Sequence, residues 1–206
     1  PRFFGSGSTT PHRGGTLTLS ITDDVRTLDP AFSNDEFSVL VDHLLFDSLL
    51  DFAPADSADP TALRPALAER WEVAPDGLVY TFHLRANARF WNGEPVLAED
   101  FVYAFERLLG PELGSPGAAF YAGIAGAQER MEGKAKHVAG IRGLEARTLE
   151  FRLVQPDASF PLLLALTFAP PLKRAHVEKV GDRIRDTPLG TGPFTVEAWN
   201  PGEKLV

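Results

Sequence analysis

The chain has 206 residues, 44% of them hydrophobic and 23% charged, enough apolar material for one full core or parts of two lobes. Its 20 Lys and Arg against 28 Asp and Glu leave a net charge of −8, whereas a general nucleic-acid binder needs a basic surface to displace phosphate counterions. Cysteine is absent, which excludes disulfides, zinc thiolates and thiol nucleophiles within the chain.

Residues 1–13 read as a flexible leader, glycine- and serine-rich from Gly5 to Ser8, and not as a signal peptide. Thr16–Ile21 alternates apolar and polar residues, which predicts a half-buried strand that Leu28-Asp29-Pro30 breaks. Ser33 and Glu36 stand at capping-box spacing and open a helix expected over about Asn34–Leu50, its apolar stripe formed by Phe37, Leu40, Val41, Leu44 and Leu45. Asp51–Pro65 has no period and reads as a loop.

Trp71–Val73 and Leu78–Arg85 flank Ala74-Pro75-Asp76-Gly77, a turn signal that predicts a hairpin with Tyr80, Phe82 and Leu84 on one face. Trp91-Asn92-Gly93 is a further turn, and Phe101, Val102, Phe105, Leu108 and Leu109 form a helix stripe that Gly110-Pro111 terminates. Gly110–Gly126 reads as a surface excursion anchored by Phe120-Tyr121. Thr148–Val154 is a strand, Ser159 caps a short helix through Thr167, and a helix near Ala175–Val180 ends at Gly181. Gly190-Thr191-Gly192-Pro193 then leads into a final strand, Phe194–Trp199. The mixed order of hairpins and helices points to α+β or mixed α/β rather than a regular βαβ series. No stretch reads as a membrane span, because the best apolar run, Phe160–Leu172, is short of the ~20 residues needed and holds three prolines.

Chemical motifs are sparse. The five histidines are scattered, without paired spacing, and neither a metal site nor a cofactor is expected. Gly190-Thr191-Gly192 lacks both the third glycine of a dinucleotide loop and the lysine of a phosphate loop. Asp23-Asp24 reads as a strand-end pair and Glu99-Asp100 as first-turn carboxylates that complement free N–H groups, not as acid/base machinery. Trp71, Trp91, Trp199, Phe120 and Tyr121 are candidates either for core or for the wall of a ligand groove. No catalytic constellation assembles, so a binding protein rather than an enzyme is expected.

Several segments, in order, carry a resemblance. They are Gly14–Leu17, Thr27–Pro30, Leu45–Leu50, Leu67–Glu72, Asp76–Arg85, Phe90–Pro95, Ala98–Tyr103 and Gly190–Phe194. Together they resemble the extracellular solute-binding proteins of family 5, the oligopeptide/dipeptide-binding subunits of ABC importers. The resemblance implies a periplasmic binding protein type II-like fold, here incomplete. Residues 14–46 would be a first-lobe segment, 47–170 an inserted α+β domain and 171–206 the return to the first lobe, truncated. It implies capture of oligopeptides or dipeptides by two-lobe closure and delivery to permease subunits, with peptide as ligand and no nucleic acid. The location would be the periplasm or a cell-surface lipoprotein, meeting the membrane only through the permease or an anchor outside this chain.

Carried over by position, the backbone of Ser33, Asn34 and Asp35 would pair with peptide. Gly117, where some members place an aromatic wall, is a candidate for the pocket rim. Leu97 stands where the family has Thr or Ser, so the helix that follows lacks a side-chain cap. Two rival readings differ in class: the ligand-sensing domain of a transcriptional regulator, and a solute-binding protein for a metal chelate or sugar.

Overall fold

The computed structural model describes residues 16–59 and 61–206, so the 1–13 leader and Gly14-Gly15 lie outside the described residues. Its centre is a four-stranded antiparallel sheet in the order β3-β4-β6-β5, built from β3 (Ala68–Val73), β4 (Val79–Leu84), β5 (Ile141–Glu145) and β6 (Thr148–Arg152). The predicted hairpin is present: Trp71 pairs with Phe82 and Val73 with Tyr80. Its turn closes through Ala74 N–H donating to Val79 O (2.9 Å), with Gly77 at φ +68° where a side chain would be strained. Tyr80, Phe82 and Leu84 are buried, and Leu149 and Phe151 of β6 extend the same face.

Helix α2 (Ala98–Leu108) lays its stripe on that face, burying Phe101, Ala104, Phe105 and Leu108. The Phe105 ring meets Phe151 edge-on at 5.1 Å and Tyr121 at 5.0 Å, a favoured aromatic geometry. Tyr121 thus anchors the 110–126 excursion, which also contains a 3-10 turn at Ala118–Tyr121 and precedes a short helix α3 (Ala127–Met131). Helix α4 (Phe160–Leu163) is shorter than predicted and has no side-chain cap from Ser159, whose hydroxyl donates to Asp157 Oδ1 (2.6 Å). Helix α5 (Arg174–Val180) ends at Gly181, φ +57°, as the sequence indicates.

Other expectations are corrected. Residues 16–21 form no strand, and Leu17 (82%) and Leu19 (66%) are exposed, because no strand among the described residues lies beside them. Asp23-Asp24 therefore ends no strand. Helix α1 spans Glu36–Leu45, not through Leu50, and the chain enters β1 (Leu50–Phe52), which pairs with β2 (Leu63–Pro65) inside the supposed loop. Strands of three residues are too short to show a period. β5 carries Gly143, which lacks the side chain that would continue an alternating pattern, so no strand period shows there. The predicted strand at 194–199 reduces to β7 (Trp199–Asn200), paired with β8 (Lys204–Leu205).

Two apolar clusters result. The larger draws on Ala31 and on residues between Leu49 and Ala169. The smaller joins Val25, Leu28, Leu45 and Phe46 to Leu172, Val177 and Ile184, with Ala104 of α2 touching it. Gly190–Gly192 clasps the junction: Thr191 and Gly192 N–H donate to Leu45 O, and Trp91 donates through its backbone to Gly190 O and through Nε1 to Gly192 O. A Cβ at Gly190 would overlap Leu45 O, which is why glycine stands there. No helix among the described residues is long and apolar enough to cross a membrane.

Candidate functional site

Ser33, Asn34 and Asp35 link a 3-10 turn (Pro30–Phe32) to α1, and both ends of this segment are fixed. Pro30 at the first helical position needs no N–H partner, and Asp29 Oδ1 caps the turn by accepting from Ala31 N–H (3.2 Å). The same buried carboxylate accepts from Arg107 Nη1 (3.0 Å) and Nη2 (2.6 Å), a two-pronged bond that ties the turn to α2.

At the other end Asp35, not Ser33, is the N-cap of α1, its Oδ1 accepting from Ser38 N–H (3.0 Å). The capping-box expectation fails because Ser33 closes the preceding turn: its N–H donates to Pro30 O (3.3 Å) and its hydroxyl to Asp29 O (3.4 Å). Partial burial opposes ionisation of Asp35, but the Ser38 hydrogen bonds and the Arg26 charge outweigh it and hold the carboxyl below the usual carboxylate range.

Between these anchors Asn34 is exposed, and among the described residues nothing hydrogen-bonds to its N–H or C=O. An exposed residue with a free amide and carbonyl, anchored on both sides and leading into the extended backbone of Asp35, is suited to pairing with an extended chain.

Gly117 is buried beneath Phe168, whose ring occupies the space a Cβ would need. Phe168 in turn stacks on the half-exposed Phe120 at 5.6 Å. The sequence therefore loses an aromatic wall at 117 and gains aromatic surface beside it. Ser115 joins this corner to the extended segment, its hydroxyl donating to Ala31 O (2.5 Å) and accepting from Gly117 N–H (3.1 Å). So the structure links the Gly117 corner to the turn that precedes Ser33.

The remaining candidates do not join them. Trp71 stacks on Phe82 at 6.3 Å, Trp91 and Trp199 are half-buried against the smaller cluster, and Tyr121 donates from the core to Leu163 O (2.9 Å). Asp100 serves its helix, accepting from Leu97 N–H (2.8 Å) and from Lys173 Nζ (3.0 Å). Burial nevertheless pushes its carboxyl up, ahead of the opposing pull of those two donors. Among the described residues no three His, Asp or Glu side chains are grouped to hold a metal ion. Two surface hollows, of about 590 Å³ beside Thr187 and Trp199 and about 430 Å³ beside Asp47 and Arg89, include none of residues 33–35 or 117.

Comparison with known proteins decides the family. The sequence model of the bacterial extracellular solute-binding proteins, family 5 Middle, matches residues 62–206. The chain belongs to this family. It is 33% identical over 201 residues to the periplasmic oligopeptide-binding protein OppA of Escherichia coli K12, covering 93% of this chain and 35% of OppA. It is 34% identical over 148 residues to a probable deoxycholate-binding periplasmic protein, YgiS, of the same organism, covering 69% of this chain and 28% of YgiS. The structure of the E. coli murein tripeptide binding protein MppA superposes with a TM-score of 0.82 at 33% identity, covering 90% of this chain and 36% of MppA. The fold is thus mixed α/β of the type II periplasmic binding protein kind, and the chain spans about a third of the length of these relatives.

Three residues around the candidate segment are not singled out by the sequence. Arg107 and Ser115 act through long-range contacts to Asp29 and Ala31 that no local spacing encodes. Asp42 lies off the apolar stripe that the sequence offers for α1, so its spacing gives no sign of burial. The helix buries Ser38, Asp42 and Leu45, while Leu40 (46%) and Leu44 (38%) of the predicted stripe face outward.

Proposed function

We propose that this chain is part of the substrate-binding subunit of a periplasmic or surface-tethered ABC importer, that it captures peptides and that it delivers them to permease subunits. Residues 14–46 and 171–206 form pieces of one lobe and residues 47–170 an inserted domain; the division of apolar residues into two clusters supports this partition. The observation that carries the functional reading is the free backbone of exposed Asn34 in a segment anchored at Asp29 and Asp35. Peptide main chain pairs there by strand addition, which is independent of side-chain identity. At the Gly117 corner the half-exposed Phe120, stacked on the Phe168 ring that covers Gly117, forms the rim where an apolar ligand side chain rests. Ligand closes the two lobes because it binds the closed form better, and no bond chemistry is involved.

Calorimetric titration of a pool of tri- to pentapeptides into the protein tests the reading, with deoxycholate as the competing ligand. Saturable binding of peptides alone supports it. Saturable binding of deoxycholate, the ligand class in the name of YgiS, without peptide binding refutes it.

A further inference from the structure

Asp42 is fully buried, and neither carboxyl oxygen has a hydrogen-bond partner among the described residues. Burial without a partner strongly disfavours the carboxylate relative to the neutral acid. The Ser33 hydroxyl faces Asp42, yet its one proton is directed to Asp29 O (3.4 Å). With that proton committed to Asp29 O, a protonated Asp42 has the lone pairs of Ser33 Oγ as its neighbouring acceptor.

We propose that Asp42 is a positioning residue for the ligand-pairing segment: as the neutral acid it donates its proton to Ser33 Oγ, which leaves Ser33 free to donate to Asp29 O. The chain of hydrogen bonds runs from α1 through Ser33 to the carbonyl of the residue whose side chain grips Arg107. It fixes the backbone immediately before Asn34. Ionisation of Asp42 reverses the arrangement, because a carboxylate only accepts. Ser33 must then turn its single proton to Asp42 and release Asp29 O.

The surroundings favour the neutral form. Burial raises the Asp42 carboxyl well above its ordinary range, the Ser33 hydroxyl opposes the rise, and the charges of Asp29 and Asp35 add to it. Arg107 is engaged with Asp29, and Arg26 acts on Asp35 rather than on Asp42. On the reading of Ser33–Asp35 as the peptide site, this makes the site sensitive to pH: it is ordered while Asp42 holds its proton and loosened once the proton leaves.

Carboxyl-carbon and amide NMR titrations of the protein, wild type and Asp42→Asn, decide the proposal without any ligand. The expected result is an Asp42 carboxyl midpoint well above the ordinary ~3.9, with the Ser33 and Asn34 amides following the same midpoint. In Asp42→Asn, whose amide NH₂ keeps a donor for Ser33, those amides hold their low-pH positions at every pH. An ordinary midpoint for Asp42, or amides at Ser33 and Asn34 that ignore it, overturns the proposal. If Asp42→Asn does not fold, Ser33→Ala serves instead: it should uncouple the Asn34 amide from the Asp42 titration, and persistent coupling counts against the relay. A trialanine titration on either side of the midpoint then tests the functional reading separately. Weaker binding above the midpoint in wild type and a flat profile in Asp42→Asn support both. Coupling by NMR with no trialanine binding at any pH leaves the relay standing and removes the peptide site.

Discussion

Breaking the Asp29–Arg107 pair should be the most damaging polar substitution in the described structure. Arg107 makes two short bonds to Asp29 with side chains only 14% and 4% exposed, so either partner left alone is a buried, unpaired charge. Removing one member of such a pair costs about 3–5 kcal/mol. Asp29→Ala also loses the cap on Ala31 N–H, worth roughly 1 kcal/mol, so it should exceed Arg107→Met by about that amount. The double variant leaves no orphan charge, and its cost should fall below the sum of the singles by about 2–3 kcal/mol. Urea denaturation followed by tryptophan fluorescence reads each difference, the singles moving the midpoint by about 2 M at ordinary m-values. Two singles that each cost below ~1 kcal/mol and simply add would show the pair to behave as a surface salt bridge, and the anchoring of the turn would have to be reassigned.

Three other outcomes follow from the same contacts. Asp42→Asn should raise the melting temperature at pH 7. Because the folded-state carboxyl is raised, the native protein holds a proton that the unfolded chain releases above ~3.9, so wild-type stability falls as pH rises through that window and the gain should vanish below about pH 4. Asp100→Ala should lower stability by about 1–2 kcal/mol through loss of the bonds to Leu97 N–H and Lys173, leaving peptide affinity unchanged; an unmoved urea midpoint would contradict this. Hydrogen exchange should protect Tyr80–Leu84, which is paired on both sides, far more than Leu17–Ile21, and equal protection would refute the described core.

What could be read from the sequence, and what could not, divides along the range of the interactions. The 68–84 hairpin and α2 were legible because turn chemistry at Pro75-Asp76-Gly77 and the Phe101–Leu108 stripe are local signals that agree with their tertiary partners. Residues 16–21 carry an equally clean alternation, but alternation makes a strand only where a neighbouring strand receives it. In α1 the apolar stripe pointed to the wrong face, since the protein buries Ser38, which accepts from Arg26 N–H, and Asp42. The Ser33 cap was misplaced by two residues because Ser33 and Asp35 are both good caps, and only the preceding 3-10 turn decides between them. The site region was the least legible part. Asp29, Arg107, Ser115 and Ala31 meet across 78 and 84 residues of sequence, a distance over which no periodicity speaks.

The central claim is that extended peptide pairs with the backbone at Ser33–Asp35, and amide mapping tests it most directly. Trialanine added to millimolar concentration to the ¹⁵N-labelled chain should shift the amides of Ser33, Asn34 and Asp35 before any others. Affinity should be weak in this chain, because the few hydrogen bonds available there, each netting about 0.5–1.5 kcal/mol, must offset an association cost of at least ~4 kcal/mol. Shifts confined to another surface, such as the hollow at Arg64, Arg85 and Arg89, would contradict the account, as would a sub-micromolar complex that leaves residues 33–35 unmoved.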